Sequence, residues 1–180
     1  MNTFYSLTVK EIAKPTTDSV SILFEIPQDL KETFIFKEGQ YITLKANING
    51  ENIQRAYSIW KAPHENEVAV LVKKVENGVF STFANELLKV GETLEVMPPQ
   101  GNFVPSLSAS NSHHYTLFAA GSGITPVFSI LKQILNQEPN STIDLFYVNR
   151  TKQSTIFANE IEELPKSNLK IHSFYTKESS

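Results

Sequence analysis

No cysteine occurs among the 180 residues. That absence removes disulfides, thiolate nucleophiles, structural zinc of the usual kind and any cysteine-held iron–sulfur cluster. An excess of one charge is also missing. Sixteen Lys and Arg stand against nineteen Asp and Glu, a formal net charge of −3. The concentrated basic face that binds phosphate backbones is lacking, so nucleic acid is not expected as a partner. No run of about 18 apolar residues is present, so no membrane span is expected. The opening MNTFYSLTVKEIAK alternates and has no apolar stretch ahead of a cleavage site, which makes the cytoplasm the expected location. Histidine is scarce, with His113-His114 the one close pair among four. Adjacent residues point apart, so solvated loop histidines are expected there rather than a metal site.

What is present is ordinary globular composition, 41% hydrophobic and 19% charged, enough for one good core or two small domains. The first hundred residues read as short strands with turn punctuation, over 3–13, 19–27, 41–48, 51–59, 67–75 and 93–97. Asn49-Gly50 is a preferred two-residue hairpin turn. Six such strands predict a closed antiparallel barrel. One helix is predicted among them, capped by Ser81, with Phe83, Leu87 and Val90 on one face and Gly91 at its end. Residues 103–114, serine-rich and with little that packs, read as a linker. Beyond it strands over 115–120, 142–148 and 169–175 alternate with helices over 126–136 and 154–164. Val127, Ile130, Leu131 and Ile134 form one apolar stripe, and Phe157, Ile161 and Leu164 another. Apolar strands alternating with helices imply a parallel sheet.

Four stretches carry candidate chemistry. In RAYSIW, alternation sends Arg55 and Tyr57 to one strand face and Ala56 and Ser58 to the other. A guanidinium suits a diphosphate and a phenol ring suits a stacked heterocycle, although, taken alone, Tyr57 as barrel surface and Arg55 as a salt-bridge partner is the simpler account. Gly78 and Ser81 sit at a loop-to-helix junction whose N–H groups can hold phosphate. FAAGSGITPVF places Gly121 and Gly123 after an apolar strand, with Thr125 as the predicted N-cap and Pro126 in the first turn. That is a phosphate site or a tight turn. The next strand ends in Asn149-Arg150, where many NAD sites carry an acidic residue; an amide and a cation lean toward the 2′-phosphate of NADP, or toward a solvated strand end.

Together these stretches resemble the ferredoxin–NADP reductase superfamily, over essentially the whole chain. The carriers are Arg55-Ala56-Tyr57-Ser58, Gly78-Val79-Phe80-Ser81, Pro98-Pro99-Gln100-Gly101-Asn102-Phe103 and Gly121-Ser122-Gly123-Ile124-Thr125-Pro126, in the family's order and spacing. Within it, EVMPPQGNF, AAGSGITP and YVNRTKQSTIF are most similar to reductases of phenylacetate-degrading oxygenases (the phenylacetyl-CoA epoxidase kind). The resemblance implies a six-stranded antiparallel FAD-binding barrel over 1–104, a linker over 105–114 and a truncated parallel α/β nicotinamide-nucleotide-binding domain over 115–180. It implies a flavin-dependent NAD(P)H oxidoreductase passing hydride from NADPH to FAD, and electrons on to an iron–sulfur centre or oxygenase. Arg55 would hold the FAD diphosphate, Tyr57 stack on the isoalloxazine and Ser58 hydrogen-bond near its N5 atom. Val72 and Lys73 would lie along the flavin by their backbone, with Ala56 also in contact with it, and Gly78, Val79, Phe80 and Ser81 would close on the diphosphate through their N–H groups and the Ser81 hydroxyl. Gly121, Gly123, Thr125 and Pro126 would cradle the nicotinamide nucleotide, with Asn149 and Arg150 choosing NADP over NAD. The family continues with more strands and a 2Fe–2S domain. The sequence here is therefore expected to be a fragment that keeps most FAD contacts, binds NADP(H) poorly and has no cluster of its own.

Overall fold

Residues 3–165 and 167–178 are described in the structure, a computed structural model; the expected domain limits at 1 and 180 fall outside them. The first half is built from Tyr5–Thr16 (β1), Ser19–Glu25 (β2), Tyr41–Ile48 (β3), Glu51–Ser58 (β4), Val68–Lys73 (β5) and Thr93–Val96 (β6). They pair in the order β4-β3-β6-β1-β2-β5, all antiparallel. The β3–β4 hairpin turns on Asn49 and Gly50, at φ 53° and 84°, as the dipeptide predicts. The sheet curls until its ends meet at one point. Ile59 bridges Val70 and the Trp60 N–H donates to the Ala69 carbonyl at 3.0 Å. Alternation fills the interior, with Leu7, Val9, Val20, Ile22, Ile42, Leu44, Val70, Val72, Leu94 and Val96 all buried in one cluster.

The barrel helix, Val79–Glu86 (α1), begins and ends earlier than its predicted pattern. Gly78 is the N-cap, and Ser81 lies inside the first turn, accepting from the Val75 N–H at 3.2 Å and donating to the Gly78 carbonyl at 3.1 Å. Ser81 therefore fastens the turn rather than capping the helix. This start rotates the stripe, so that Phe80 and Ala84 turn inward with Leu88 beyond them, while Leu87 and Val90 remain 60% and 59% exposed. The helix closes at Glu86, ahead of Gly91.

The second half comprises His114–Ala120 (β7), Ile124–Gln137 (α2), Thr142–Asn149 (β8), Ala158–Glu163 (α3) and Leu169–Tyr175 (β9). Its three strands are parallel in the order β7-β8-β9. Val127, Ile130, Leu131 and Ile134 are buried, as their spacing predicts, in a second cluster with Ile143, Leu145 and Tyr147. Gly123 caps α2 after a 3₁₀ turn over Gly121–Gly123. Thr125 is not the cap, because it already lies within the helix and its hydroxyl donates to the Ser122 carbonyl at 3.1 Å. The helix expected from 154 begins only at Ala158. Thr151 and Ser154 close a turn on each other, and Phe157 at φ 60° interrupts any helical path upstream.

Two further expectations are corrected. His114 opens β7, where its Nε2 lies 3.0 Å from Asp144 Oδ2; it is not a loop residue. The serine-rich linker is tied down. Glu138, fully buried, accepts from the Ser108 N–H at 3.0 Å, Asn111 Nδ2 at 2.6 Å, the Tyr115 hydroxyl at 2.9 Å and the Ser141 hydroxyl at 2.7 Å. Burial would push its carboxyl up, but these four donors hold it below the ordinary glutamate range. The polar spacing that reads as flexible is a set of donors for one carboxylate.

Candidate functional site

Beyond the Ile59–Val70 bridge, β4 and β5 part, and a cavity of about 540 Å³ opens along the free edge of β4. Its barrel wall is Arg55, Ala56, Tyr57 and Ser58, with Lys73 and the turn Gly78, Val79, Phe80 and Ser81. Gly123, Thr125 and Pro126 of the second half face them. Strict alternation would separate Arg55 and Tyr57 from Ala56 and Ser58. All four line the cavity because an unpaired strand edge is approached along its backbone, within reach of both faces.

Each element positions its group by simple means. Ile42 lies opposite Tyr57 in the hairpin register and is fully buried, which draws Tyr57 inward. The Tyr57 ring packs on Phe80 of α1, centroids 5.7 Å apart. Burial raises its phenol to about 12, with the Arg55 charge a smaller opposing influence, so Tyr57 stays a neutral donor. Arg55 donates to the Gln54 carbonyl at 2.7 Å and is exposed. It makes no ion pair with a carboxylate among the described residues, so its charge is free for an anion. Gly78 lies against its own turn: a Cβ there would stand 2.3 Å from Ser81 Oγ and 2.4 Å from Val75 Cγ2. The first N–H groups of α1 lack intrahelical partners and lie beside this space, whereas the Ile124 N–H that opens α2 is taken by the Gly121 and Ser122 carbonyls.

A second cavity of about 580 Å³ adjoins the first. Gly121, Asn149 and Arg150 line it, beside Asp18, Lys74, Glu76, Ala120, Val148, Ser154 and Thr176, and it shares Lys73, Val75 and Ser122 with the first. Gly121 adopts φ 48°, whereas Gly123 is at φ −63°, so only the first needs left-handed freedom. The buried Tyr147 hydroxyl reaches the Gly121 carbonyl at 3.1 Å and the Ile156 carbonyl at 3.2 Å. It thereby fixes the Gly-Ser-Gly turn to β8. Asn149 is 5% exposed and its Nδ2 has no well-aligned acceptor. A buried donor of this kind costs stability until a ligand or water meets it. Lys73 pairs with Asp18 at 3.4 Å; no ion pair is formed by Arg150 among the described residues.

Of the sequence-predicted residues, only Val72 lies outside both cavities. Its side chain is buried in the barrel and its carbonyl accepts from Asn85 Nδ2 at 3.1 Å. Leu71 lines the first cavity, and Lys73 and Val75 line both. The period of two that sends Val72 inward sends Leu71 and Lys73 to the ligand side, a signal available in the sequence, while Val75 lies past the end of β5. Ser122, Asp18 and Thr176 carry no such signal, since only the folded turns bring them in.

The donor set fits a diphosphate-linked, ring-bearing ligand: one uncommitted guanidinium, the N-terminus of α1, an aromatic wall and a turn without room for a side chain. Residues 6–104 match the family described as oxidoreductase FAD-binding domain, and 117–180 that described as oxidoreductase NAD-binding domain. The chain is 44% identical over 164 residues to a component of the 1,2-phenylacetyl-CoA epoxidase of Escherichia coli (strain K12), covering 91% of this chain and 46% of that protein. It spans about half the length of the curated relatives it matches. Among solved structures, phthalate dioxygenase reductase, described as a modular structure for electron transfer from pyridine nucleotides to [2Fe–2S], superposes with a TM-score of 0.79 at 25% identity. That match covers 98% of this chain and 53% of the other. The FAD/NAD-binding domain of a Vibrio cholerae nitric oxide dioxygenase shares the fold, with a TM-score of 0.86 at 22% identity over 100% of this chain and 77% of that one. From its matched first half, its second half and the architecture that joins them, the chain belongs to the FAD- and NAD-binding oxidoreductases of the ferredoxin reductase type.

Proposed function

We propose that the chain is the flavin- and nicotinamide-binding part of an NADPH-dependent reductase that serves an oxygenase of aromatic-acid degradation. Residues 1–104 would form the flavin domain, 105–114 the connection and 115–180 part of the nucleotide domain. The observation that carries the reading is the common wall: Lys73, Val75 and Ser122 line both cavities, so two ligands would lie side by side.

A flavin held here would supply hydride and one-electron chemistry between a nicotinamide nucleotide and an electron acceptor. The residues position and enclose. Arg55 would neutralise the diphosphate with the N–H groups of Val79 and Phe80, and Tyr57 would support one ring face. Ser58 would donate or accept a hydrogen bond at the reacting edge, and Ala56 and Lys73 would flank the ring. Gly121, Gly123, Thr125 and Pro126 would seat the second nucleotide, with Asn149 filling its open hydrogen bond on the ribose and Arg150 meeting a 2′-phosphate. Among the described residues no carboxylate or histidine lines the first cavity, in keeping with chemistry that needs alignment and exclusion of water. With no cysteine in these residues, a cysteine-held cluster that receives the electrons must come from other polypeptide.

Anaerobic titration of the FAD-reconstituted protein with NADPH, then NADH, tests this reading. Bleaching of the visible flavin band, more readily by NADPH, is expected. A second reading, a flavin-binding module without redox turnover, is favoured by the uncovered sheet face, where Phe118 is 70% and Phe174 50% exposed. Bound flavin bleached by dithionite but by neither nucleotide would select it.

A further inference from the structure

The RAYSIW strand ends in Trp60, the only tryptophan of the chain. Trp60 belongs to both halves. Its Nε1 donates to Ser21 of β2 at 2.9 Å, while its ring lies 4.7 Å from the Phe157 centroid and 6.3 Å from that of Phe128. Two ammoniums cover it, Lys132 Nζ at 4.7 Å and Lys61 Nζ at 4.8 Å from the ring centroid. Glu65 ties them together, accepting from Lys132, from Lys61 at 3.3 Å and from the Ala62 N–H at 2.5 Å. Ser129, fully buried, donates to the Lys61 carbonyl at 2.7 Å, and Gln133 Oε1 lies 2.8 Å from His64 Nδ1. Ser129, Lys132 and Gln133 stand at i, i+3 and i+4, one face of α2. One helical turn earlier on α2, Thr125 and Pro126 line the first cavity; three residues before Lys61, so does Ser58.

The geometry points to Lys132 and Glu65 as positioning residues that set the angle between the flavin strand and α2, and with it the spacing of the two cavity walls. The inference rests on the reading of that cavity as a hydride-transfer site. Three residue steps along the chain separate Ser58 from Lys61 of the clasp, a lever of about 10 Å. A rotation of roughly 6° at that distance shifts a wall by about 1 Å, and such a displacement costs transfer roughly 100-fold. The two cations and the two carboxylates, Glu65 and Glu67 (2.6 Å from Lys61), balance in charge, and Lys132 is only 10% exposed. Deleting the Lys132 charge therefore leaves Glu65 with Lys61 alone and an excess of negative charge in a half-buried cluster.

The test uses the full chain with FAD bound, comparing Lys132→Met with Lys132→Arg, which restores the charge. Lys132→Met is expected to slow single-turnover flavin reduction by saturating NADPH about 10- to 100-fold. FAD affinity is expected to stay within about twofold, because no flavin contact changes. Trp60 emission is expected to shift to the red, and Lys132→Arg to recover rate and emission. Reduction at the wild-type rate, or slowing only in proportion to lost FAD affinity, overturns the inference. If wild-type protein holds FAD but neither nucleotide reduces it, the functional reading fails and the visible circular dichroism of the bound flavin decides the positioning. A change in Lys132→Met reversed in Lys132→Arg upholds it, and an unchanged spectrum overturns it. A wild-type chain that takes up no flavin overturns both. If Lys132→Met does not fold, Ser129→Ala removes one bond of the clasp and is read in the same way.

Discussion

Arg55 owes its value to what it does not bind. Among the described residues its guanidinium makes one hydrogen bond, to the neighbouring Gln54 carbonyl, so a diphosphate would meet an uncommitted charge. Arg55→Ala is expected to weaken FAD binding by about 10- to 100-fold, the range of a hydrogen bond to a charged group of about 1.5–3 kcal/mol. Fluorescence titration measures this, and unchanged affinity removes Arg55 from the site. Tyr57 gives a pH test. With its folded pKa raised to about 12 by burial, its stability contribution is complete below the ordinary value of 10 and is lost as pH rises through 12. Flavin affinity is therefore expected to show no break from this phenol between pH 6 and 9, and Tyr57→Phe to leave that profile unchanged. Sequence made these two residues legible because their chemistry differs from that of their strand neighbours. It could not show that Ser81 is committed to its own turn, since a hydroxyl reads alike whether it meets phosphate or backbone.

At the scale of elements, two glycines that look equivalent in sequence behave differently. Gly50, at φ 84°, has nothing within 4 Å of an added Cβ, so Gly50→Ala is expected to cost about 1 kcal/mol of backbone strain and leave FAD affinity alone. Gly78→Ala places a methyl on Ser81 and Val75 and must displace the turn. It is expected to weaken FAD binding as well as lower the melting temperature, and the pair of measurements separates strain from site. The Glu65 clasp adds an acid limit. Burial pushes Glu65 up, but the bonds from Lys132 and the Ala62 N–H and the two lysine charges hold it below its ordinary value of 4.5. Its contribution is present above that value and lost as pH falls through the lower folded one. Trp60 emission should register this loss, and in Glu65→Gln the acid shift should be absent. The hairpin, the α2 stripe and the parallel order were readable from period and turn chemistry. The limits of α1 and α3 were not, because the Ser81 hydroxyl serves the Val75–Gly78 turn instead of a cap and Phe157 takes its left-handed conformation packed against Trp60 and Phe128.

Over the whole molecule, the two sheets carry one joint core edge. Leu71 of the barrel strand β5 and Trp60 pack in the α/β cluster, so the halves that composition divides at the linker are continuous in packing. The opposite face of the three-stranded sheet is open. Phe118, Phe146 and Phe174 form a stacked row with centroids 5.1 and 6.4 Å apart. An aromatic face of this kind favours association. Concentration-dependent sedimentation is expected, and it should diminish in Phe118→Ser. Sedimentation that does not vary with concentration would show that the row is tolerated in water.

The Glu138 carboxylate has a consequence for how the chain can vary in length. Four donors from 108, 111, 115 and 141 converge on it, so the crossing between the halves behaves as a strap of fixed measure. Two residues inserted at Asn49-Gly50 would lengthen a hairpin that points into solvent. The same two inserted between Ser108 and Asn111 would slacken the strap and strand a charge in the interior, making this unassuming stretch the less forgiving place to splice.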